Sequence, residues 1–90
     1  MYEATQAQII KHLETVRDND GRDGSFRIDL RQRAEGNYNL RPIAVTPAGQ
    51  EIPGELITAD MVEDLVRLGN ISPIRDQLTR LARKLPIKKA

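Results

Sequence analysis

The sequence predicts a single small α+β domain spanning residues 1–90, with an N-terminal helix, an antiparallel two- or three-stranded meander and a C-terminal helical hairpin (α-β-β-(β)-α-α). Three observations predict this class. Apolar residues follow a helical period at both ends of the chain and alternate in its middle. Clusters of glycine, proline and aspartate separate these segments. A content of 39% hydrophobic and 30% charged residues is typical of one globular domain.

An amphipathic helix opens the chain. Its apolar residues share one face at helical spacing, interrupted by Gln6: Tyr2, Ile9, Leu13 and Val16. Residues 18–24 are rich in aspartate and glycine, which form turns readily. The helix is therefore expected to end near Asp18.

Strand-like alternation begins at Ser25. Phe26, Ile28 and Leu30 alternate with charged residues, which indicates a strand with one buried and one exposed face. Arginine can bind phosphate or pair with an acid on a partner. The exposed face of this strand and its return strand therefore supplies one candidate binding patch: Arg27, Arg31, Arg33 and Arg41.

The return strand is expected at residues 38–46, after a turn at 35–37. Pro42 within it favours an edge position or a bulge, because proline has no N–H for the ladder. A third short strand is expected near 51–57, although Pro53 weakens that prediction.

The last third of the chain predicts two helices. Thr58 is the expected N-cap of the first, with Asp60 in its first turn and Gly69 just beyond its end. Ser72 and Pro73 predict the second start, as a capping serine followed by proline at the first helical position. Four apolar residues then form the inner face before the next proline ends the helix: Ile74, Leu78, Leu81 and Leu85.

Residues suited to catalysis are few. The chain has no cysteine, one histidine (His12) and two serines, Ser25 and Ser72. No serine lies in a glycine-flanked nucleophile motif, and no glutamate stands two residues before a lysine, as in many metal-dependent nucleases. We therefore expect a protein that is not an enzyme and has no cofactor. His12 is expected to lie beside the apolar face of the first helix, without a catalytic role.

The acidic turn at 18–24 does not fit a calcium loop. Counted from Asp18, loop position 5, which must supply an oxygen ligand, is Arg22, and loop position 6, which must be glycine, is Asp23. Gly21 and Gly24 have the G-x-x-G spacing of loops that clamp nucleic-acid backbones, but such loops join two helices. The expected structure is a helix-to-strand turn that binds no metal.

Charge is distributed unevenly along the chain. Residues 1–66 hold seven basic and twelve acidic side chains, a net of −5, whereas residues 67–90 hold seven basic and one acidic, a net of +6. Such asymmetry points to a partner. The main candidate binding surface is the basic face of the last helix and the tail: Arg75, Arg80, Arg83, Lys84, Lys88 and Lys89. This face either binds an acidic protein or nucleic acid, or complements acids elsewhere in the fold.

A helix-turn-helix at 59–85 fails at two positions. Gly69 fits the turn, but Leu65 stands where close helix contact requires a small residue, and Arg75 stands where the recognition helix requires an aliphatic one. The two helices are therefore expected to form an ordinary hairpin rather than a DNA-reading unit.

These observations predict a small non-enzymatic regulatory or adaptor module that acts through protein–protein contacts, with an unidentified protein partner or with a second copy as a homodimer. The alternative is a nucleic-acid-binding regulator that uses the basic C-terminal helix and the arginine-bearing strand. No long apolar run predicts a membrane span. The absence of cysteine and of a basic, apolar leader predicts a cytoplasmic location.

Overall fold

The computed structural model of the protein describes residues 2–33 and 36–89. Its elements are α1 (Tyr2–Asn19), β1 (Ser25–Gln32), β2 (Tyr38–Val45), β3 (Glu51–Pro53), α2 (Ala59–Leu68) and α3 (Arg75–Ala82), with a 3-10 turn at Ser72–Ile74 before α3. This order confirms the predicted α+β class. Glu35, in the predicted turn between the first two strands, lies outside the described residues.

The three strands form one antiparallel sheet in the order β1-β2-β3. Phe26 lies opposite Ala44, and Gln32 lies opposite Tyr38, so β1 and β2 pair along their whole length. Leu40 and Ala44 share one face of β2 and join residues of all three helices in a single core. The fold is therefore a helical layer packed on one face of a sheet, with α1 against β1 and with α2 and α3 against β2.

The core is built almost entirely from aliphatic side chains. The strands β1 and β3 add only partly buried side chains to it. Its buried members come from the three helices, from β2 and from the segments that flank the helices: Ile9, Leu13, Leu40, Ala44, Ile57, Val62, Leu65, Ile71, Ile74, Leu78, Leu81, Ala82 and Leu85. The set includes all four residues predicted for the inner face of the last helix. Both C-terminal helices pack on α1, and the contact with α3 is the more extensive. α1 is therefore the central element of the helical layer.

Pro42 occupies the central strand, so the expected edge position is wrong. It pairs in regular register with Ile28 of β1. The irregularity lies on its other side, between the Ala44–Ile52 pair and the Leu40–Ile57 bridge. There β2 has three residues (41–43), and the neighbouring segment has four (53–56). The proline ring therefore faces a bulge in the neighbouring chain, where no ladder bond requires its missing N–H.

The predicted limits of α2 are confirmed at both ends. Thr58 is the N-cap, and its side-chain oxygen accepts a hydrogen bond from the backbone N–H of Met61. Gly69 is the C-cap, with a φ of 73°, and its N–H donates a hydrogen bond to the carbonyl of Leu65. The glycine is needed because the left-handed conformation is costly for residues with a Cβ.

The predicted cap at Ser72 is wrong. No side chain caps the 3-10 turn or α3, and Asn70 Oδ1 instead accepts a hydrogen bond from the Ser72 N–H at 3.1 Å. The far end also differs from the prediction, since α3 ends at Ala82 rather than immediately before Pro86. Leu85 nevertheless stays buried in the turn that follows.

The C-terminal tail is held against the turn between α1 and β1. The Asp23 N–H donates to the carbonyl of Pro86 at 2.9 Å, and the Lys88 N–H donates to the carbonyl of Gly21 at 2.7 Å. Arg22 Nη1 adds a hydrogen bond to the Leu85 carbonyl at 2.7 Å. The fold thus brings the most acidic turn of the chain next to its most basic segment.

Candidate functional site

The face of the sheet that points away from the helices is the first candidate surface. Its side chains come from the alternate positions of the strands that do not enter the core. We call it the open sheet face and define it by Arg27, Asp29, Arg31, Asn39, Arg41, Ile43, Pro53 and Leu56. Among the described residues, every helix packs on the opposite face. The open sheet face is therefore available to a partner.

One ion pair spans part of this face. Arg27 reaches across β2 to Glu51, with Nε 2.8 Å from Oε2 and Nη2 3.0 Å from Oε1. These hydrogen bonds lower the pKa of Glu51 below its ordinary value. Both side chains are exposed, so the pair contributes little to stability. Its effect is to occupy Arg27. Ile43, which lies opposite Arg27 on β2, is 6% exposed although it lies outside the main core cluster.

A depression of about 360 Å³ lies beside that pair, lined by Asp29, Arg31, Asn39, Arg41 and Leu56. Register places Arg41 directly opposite Asp29 and Asn39 opposite Arg31. Arg31 Nε lies 3.8 Å from Asp29 Oδ2, whereas Arg41 has no ion-pair partner among the described residues. Leu56 is 44% exposed at the rim. A guanidinium, an amide and an apolar side chain together suit an acidic group that carries apolar surface beside it.

The predicted arginine patch is thus only partly assembled. Arg27, Arg31 and Arg41 share the open sheet face, and Arg41 is the member whose charge is left unpaired within the described part of the chain. Arg33 lies beyond the end of β1, where its N–H donates to the Asn37 carbonyl at 2.7 Å. Sequence reasoning missed Asn39 and Leu56, which join the site only through strand register and the chain path after β3.

The basic face of α3 and the tail is the second candidate surface. Arg83 Nε lies 2.9 Å from Asp20 Oδ2, and Arg80 Nη2 lies 3.5 Å from Glu55 Oε1. The fold therefore uses two of the six predicted cations internally. Four remain exposed without an ion-pair partner within residues 2–33 and 36–89: Arg75, Lys84, Lys88 and Lys89.

Those four cations do not converge on one site. Arg75 lies at the first turn of α3, close enough to His12 to lower the pKa of that imidazole electrostatically. Lys88 instead lies near Gly21, beyond the C-terminal end of α1. These cations are spread over the surface and separated by internal ion pairs, so they form a diffuse cationic region rather than a built pocket.

The acidic turn at 18–24 contributes Asp20 to the ion pairs of the C-terminal segment. Asp20 accepts a hydrogen bond from Arg83 and lies 3.8 Å from Arg22 Nε. No group of three or more histidine, cysteine or acidic side chains suited to a metal ion occurs among residues 2–33 and 36–89. The carboxylate of Asp20 thus joins the turn to α3 and the tail.

His12 lies at the interface of α1 and α3, where its Nε2 is 3.0 Å from Thr79 Oγ1. Partial burial lowers its pKa below the ordinary value of 6.5, and the positive charge of Arg75 lowers it further. Beside it, Gln8, Lys11 and Thr15 line a shallow groove. The imidazole is therefore part of the helix–helix contact, in surroundings that favour its neutral form.

The lowered pKa of His12 predicts a specific pH dependence. As the pH falls, the unfolded chain takes up this proton before the folded protein does, so the stability present above about pH 6.5 is lost as the pH drops through the folded pKa. We expect urea unfolding to show lower stability at about pH 6 than at about pH 7.5. His12→Gln, which keeps a polar partner for Thr79, is expected to reduce that difference. An unchanged difference in the variant would show that other groups cause it.

Comparison with known proteins gives no assignment. No protein-family model matches the chain, and no curated protein or solved structure matches it. No helix in the described part of the chain is long and apolar enough to cross a membrane. Function is therefore inferred from the open sheet face and the exposed cations of this chain itself.

Proposed function

We propose that this protein is a small non-enzymatic regulatory or adaptor module that recognises a protein partner through its open sheet face. The observation that carries this proposal is the position of Arg41, a partly buried residue without an ion-pair partner among the described residues, in a depression rimmed by the exposed Leu56. Arginine beside apolar surface is enriched at protein interfaces, and the energy of binding concentrates in such residues.

Charge favours a protein partner over nucleic acid at this face. Arg27, Arg31 and Arg41 give three positive charges, and Asp29 and Glu51 remove two, so the local excess is small. Nucleic-acid affinity depends on many unpaired cations, because each neutralised phosphate contributes through counterion release. None of the outward positions of the described strands carries an aromatic side chain on which a base could stack.

The chemistry of the depression also indicates which part of a partner it accepts. The expected ligand is an aspartate or glutamate side chain, paired with the Arg41 guanidinium and hydrogen-bonded to the Asn39 amide. An apolar residue next to that acid would cover Leu56. Asp29 at the same site would repel a second acidic residue, which favours a single acid within an otherwise neutral segment.

Arg41→Glu tests this proposal. The variant replaces attraction for an acidic side chain by repulsion and is expected to weaken capture of the partner by about tenfold or more. Arg67→Glu is the matched control, because it makes the same charge change on α2, where Arg67 pairs with Asp64. The measurement is affinity capture from the native cells with wild type and both variants, followed by titration of the retained protein. Equal retention by wild type and Arg41→Glu would contradict the proposal.

The nucleic-acid alternative makes a different prediction for the same protein. Tight binding to duplex DNA or RNA at physiological salt, lost on reversing the charges of Lys84 and Lys88 but kept in Arg41→Glu, would replace the protein-binding proposal. We expect weak binding that disappears by about 0.2 M salt, because the acidic turn and the internal pairs of Arg80 and Arg83 reduce the field of this region.

A further inference from the structure

The outer edge of β1 carries unused backbone hydrogen-bonding groups. Leu40 exchanges two hydrogen bonds with Ile57, at 2.8 and 2.7 Å, so even-numbered residues of β2 point their backbone groups towards β3. Odd-numbered residues of β2 therefore bond to the odd-numbered residues of β1 that lie opposite them. The N–H and C=O groups of Phe26, Ile28 and Leu30 must then point away from the sheet, and β1 pairs with no other strand of the described chain.

We propose that this edge binds the same edge of a second copy of the chain, so that β1 pairs antiparallel with β1 about a two-fold axis at Ile28. The two three-stranded sheets would become one continuous sheet of six strands. The pairing uses the backbone edge of β1 and does not include Arg41, although Asp29 and Arg31 also line the depression. The inference therefore goes beyond the proposed function and has its own test.

Charge complementarity selects the register. With the axis at Ile28, Arg27 of each copy lies opposite Asp29 of the other on the exposed face. Ser25 then lies opposite Arg31, so no like charges meet within β1. Directly opposed cross-strand side chains interact, and opposite charges stabilise the pairing while like charges destabilise it.

Every neighbouring register opposes like charges. An axis at Arg27 or at Asp29 places that residue opposite its own copy. An axis at Leu30 places Arg27 opposite Arg33, and an axis at Phe26 places Asp29 opposite Asp23. The register at Ile28 also overlaps seven of the eight residues of β1. The charges of β1 thus favour one register among those that its backbone hydrogen bonds allow.

The face of β1 that points towards the helices supports the same pairing. In this register Leu30, which is 40% exposed, lies opposite Phe26 of the second copy. Phe26 and Ile28 are themselves only partly buried in a single copy. The axis runs perpendicular to the sheet, so both helical layers stay on one side of it. The net charge of +1 gives little overall repulsion between two copies.

Complementary charge variants test the pairing. Arg27→Asp alone opposes acid to acid, and Asp29→Arg alone opposes base to base, so each is expected to raise the dimer Kd about tenfold or more. An equimolar mixture of the two variants restores opposite charges at both positions and is expected to form a heterodimer of near wild-type stability. Sedimentation velocity over a concentration series, with one variant labelled, measures each Kd. Arg67→Asp and Asp64→Arg on α2 are the matched controls for charge.

A backbone variant separates the edge from other surfaces. Leu30→Pro removes an N–H that points outward and leaves the β1–β2 ladder intact, so the variant is expected to be folded by circular dichroism and monomeric. A wild-type chain that stays monomeric up to about 1 mM overturns the proposal. A dimer that persists in Leu30→Pro, or single charge variants that fail to complement each other, also overturns it. Arg41→Glu changes no residue of β1, so it is expected to change this Kd less than the single charge variants of β1 do.

Discussion

Leu81→Ala is expected to lower the free energy of unfolding by about 2–4 kcal/mol, through lost burial and a residual cavity. Leu81 is 2% exposed, and its side chain extends from α3 to Gly54, just after β3. A Cβ added to that glycine would lie 2.9 Å from Leu81 Cδ2. In a domain of this size the loss corresponds to a fall in melting temperature of roughly 10 °C or more. Thermal and urea unfolding by circular dichroism measure it.

Leu68→Ala is the matched control for this substitution. It removes the same atoms from a helix, but Leu68 is 57% exposed, so the expected change is within about 0.5 kcal/mol. If both variants unfolded like wild type, α3 would not be packed as described. If Leu68→Ala were the more destabilising of the two, Leu68 would belong to an interface between copies or to a different helix packing.

Periodicity predicted most of the fold, because burial on one face imposes a repeat that local sequence reveals. The four apolar residues around α3 are all buried, and the alternation in β1 places Phe26 and Ile28 against the core, whereas Leu30, predicted for the same face, is 40% exposed. Caps were predictable where one residue supplies the interaction, as Thr58 and Gly69 do for α2. In each case the information lies within one turn or one strand.

Failures occurred where a neighbouring segment decides the outcome. Ser72 is a residue type suited to capping, yet the 3-10 turn starts one residue earlier, with Ile71 as its N-cap and Ser72 as its first residue. Pro42 can occupy the central strand because the chain after β3 carries an extra residue opposite it. Neither an earlier start of the helical turn nor a bulge in a neighbouring segment is visible in the local pattern of residues.

In the candidate site, too, local sequence predicted part of the arrangement and the contacts between segments decided the rest. The alternation of β1 placed Arg27 and Arg31 on one exposed face, but only the register of β2 brings Arg41 and Asn39 to them. Charge counting along the chain found the basic C-terminal segment without finding its internal partners. Asp20 is more than sixty residues away from Arg83 in sequence, and their 2.9 Å contact depends on the tail folding back onto the acidic turn.

Gly24→Ala is expected to destabilise the protein by roughly 3 kcal/mol or more, because strain and overpacking act together. Gly24 has a φ of 145°, which residues with a Cβ rarely adopt, and it lies immediately before β1. An added Cβ would lie 2.6 Å from the Val45 carbonyl oxygen and 2.6 Å from Leu85 Cδ2. The backbone carbonyl cannot move without disturbing the end of the β1–β2 pair, so side-chain rearrangement alone does not relieve the contact.

Gly21→Ala is the comparison variant, in which the added Cβ makes no close contact. Gly21 lies in the same turn with a φ of 64°, but no atom lies within 4 Å of the added Cβ. Its expected cost is therefore the conformational penalty alone, about 1–2 kcal/mol. Urea unfolding of both variants gives the difference, which reports how tightly the start of β1 packs on Val45 and Leu85. Equal costs would contradict that packing, and with it the position of the tail against the turn, because Leu85 is the residue from which the tail departs.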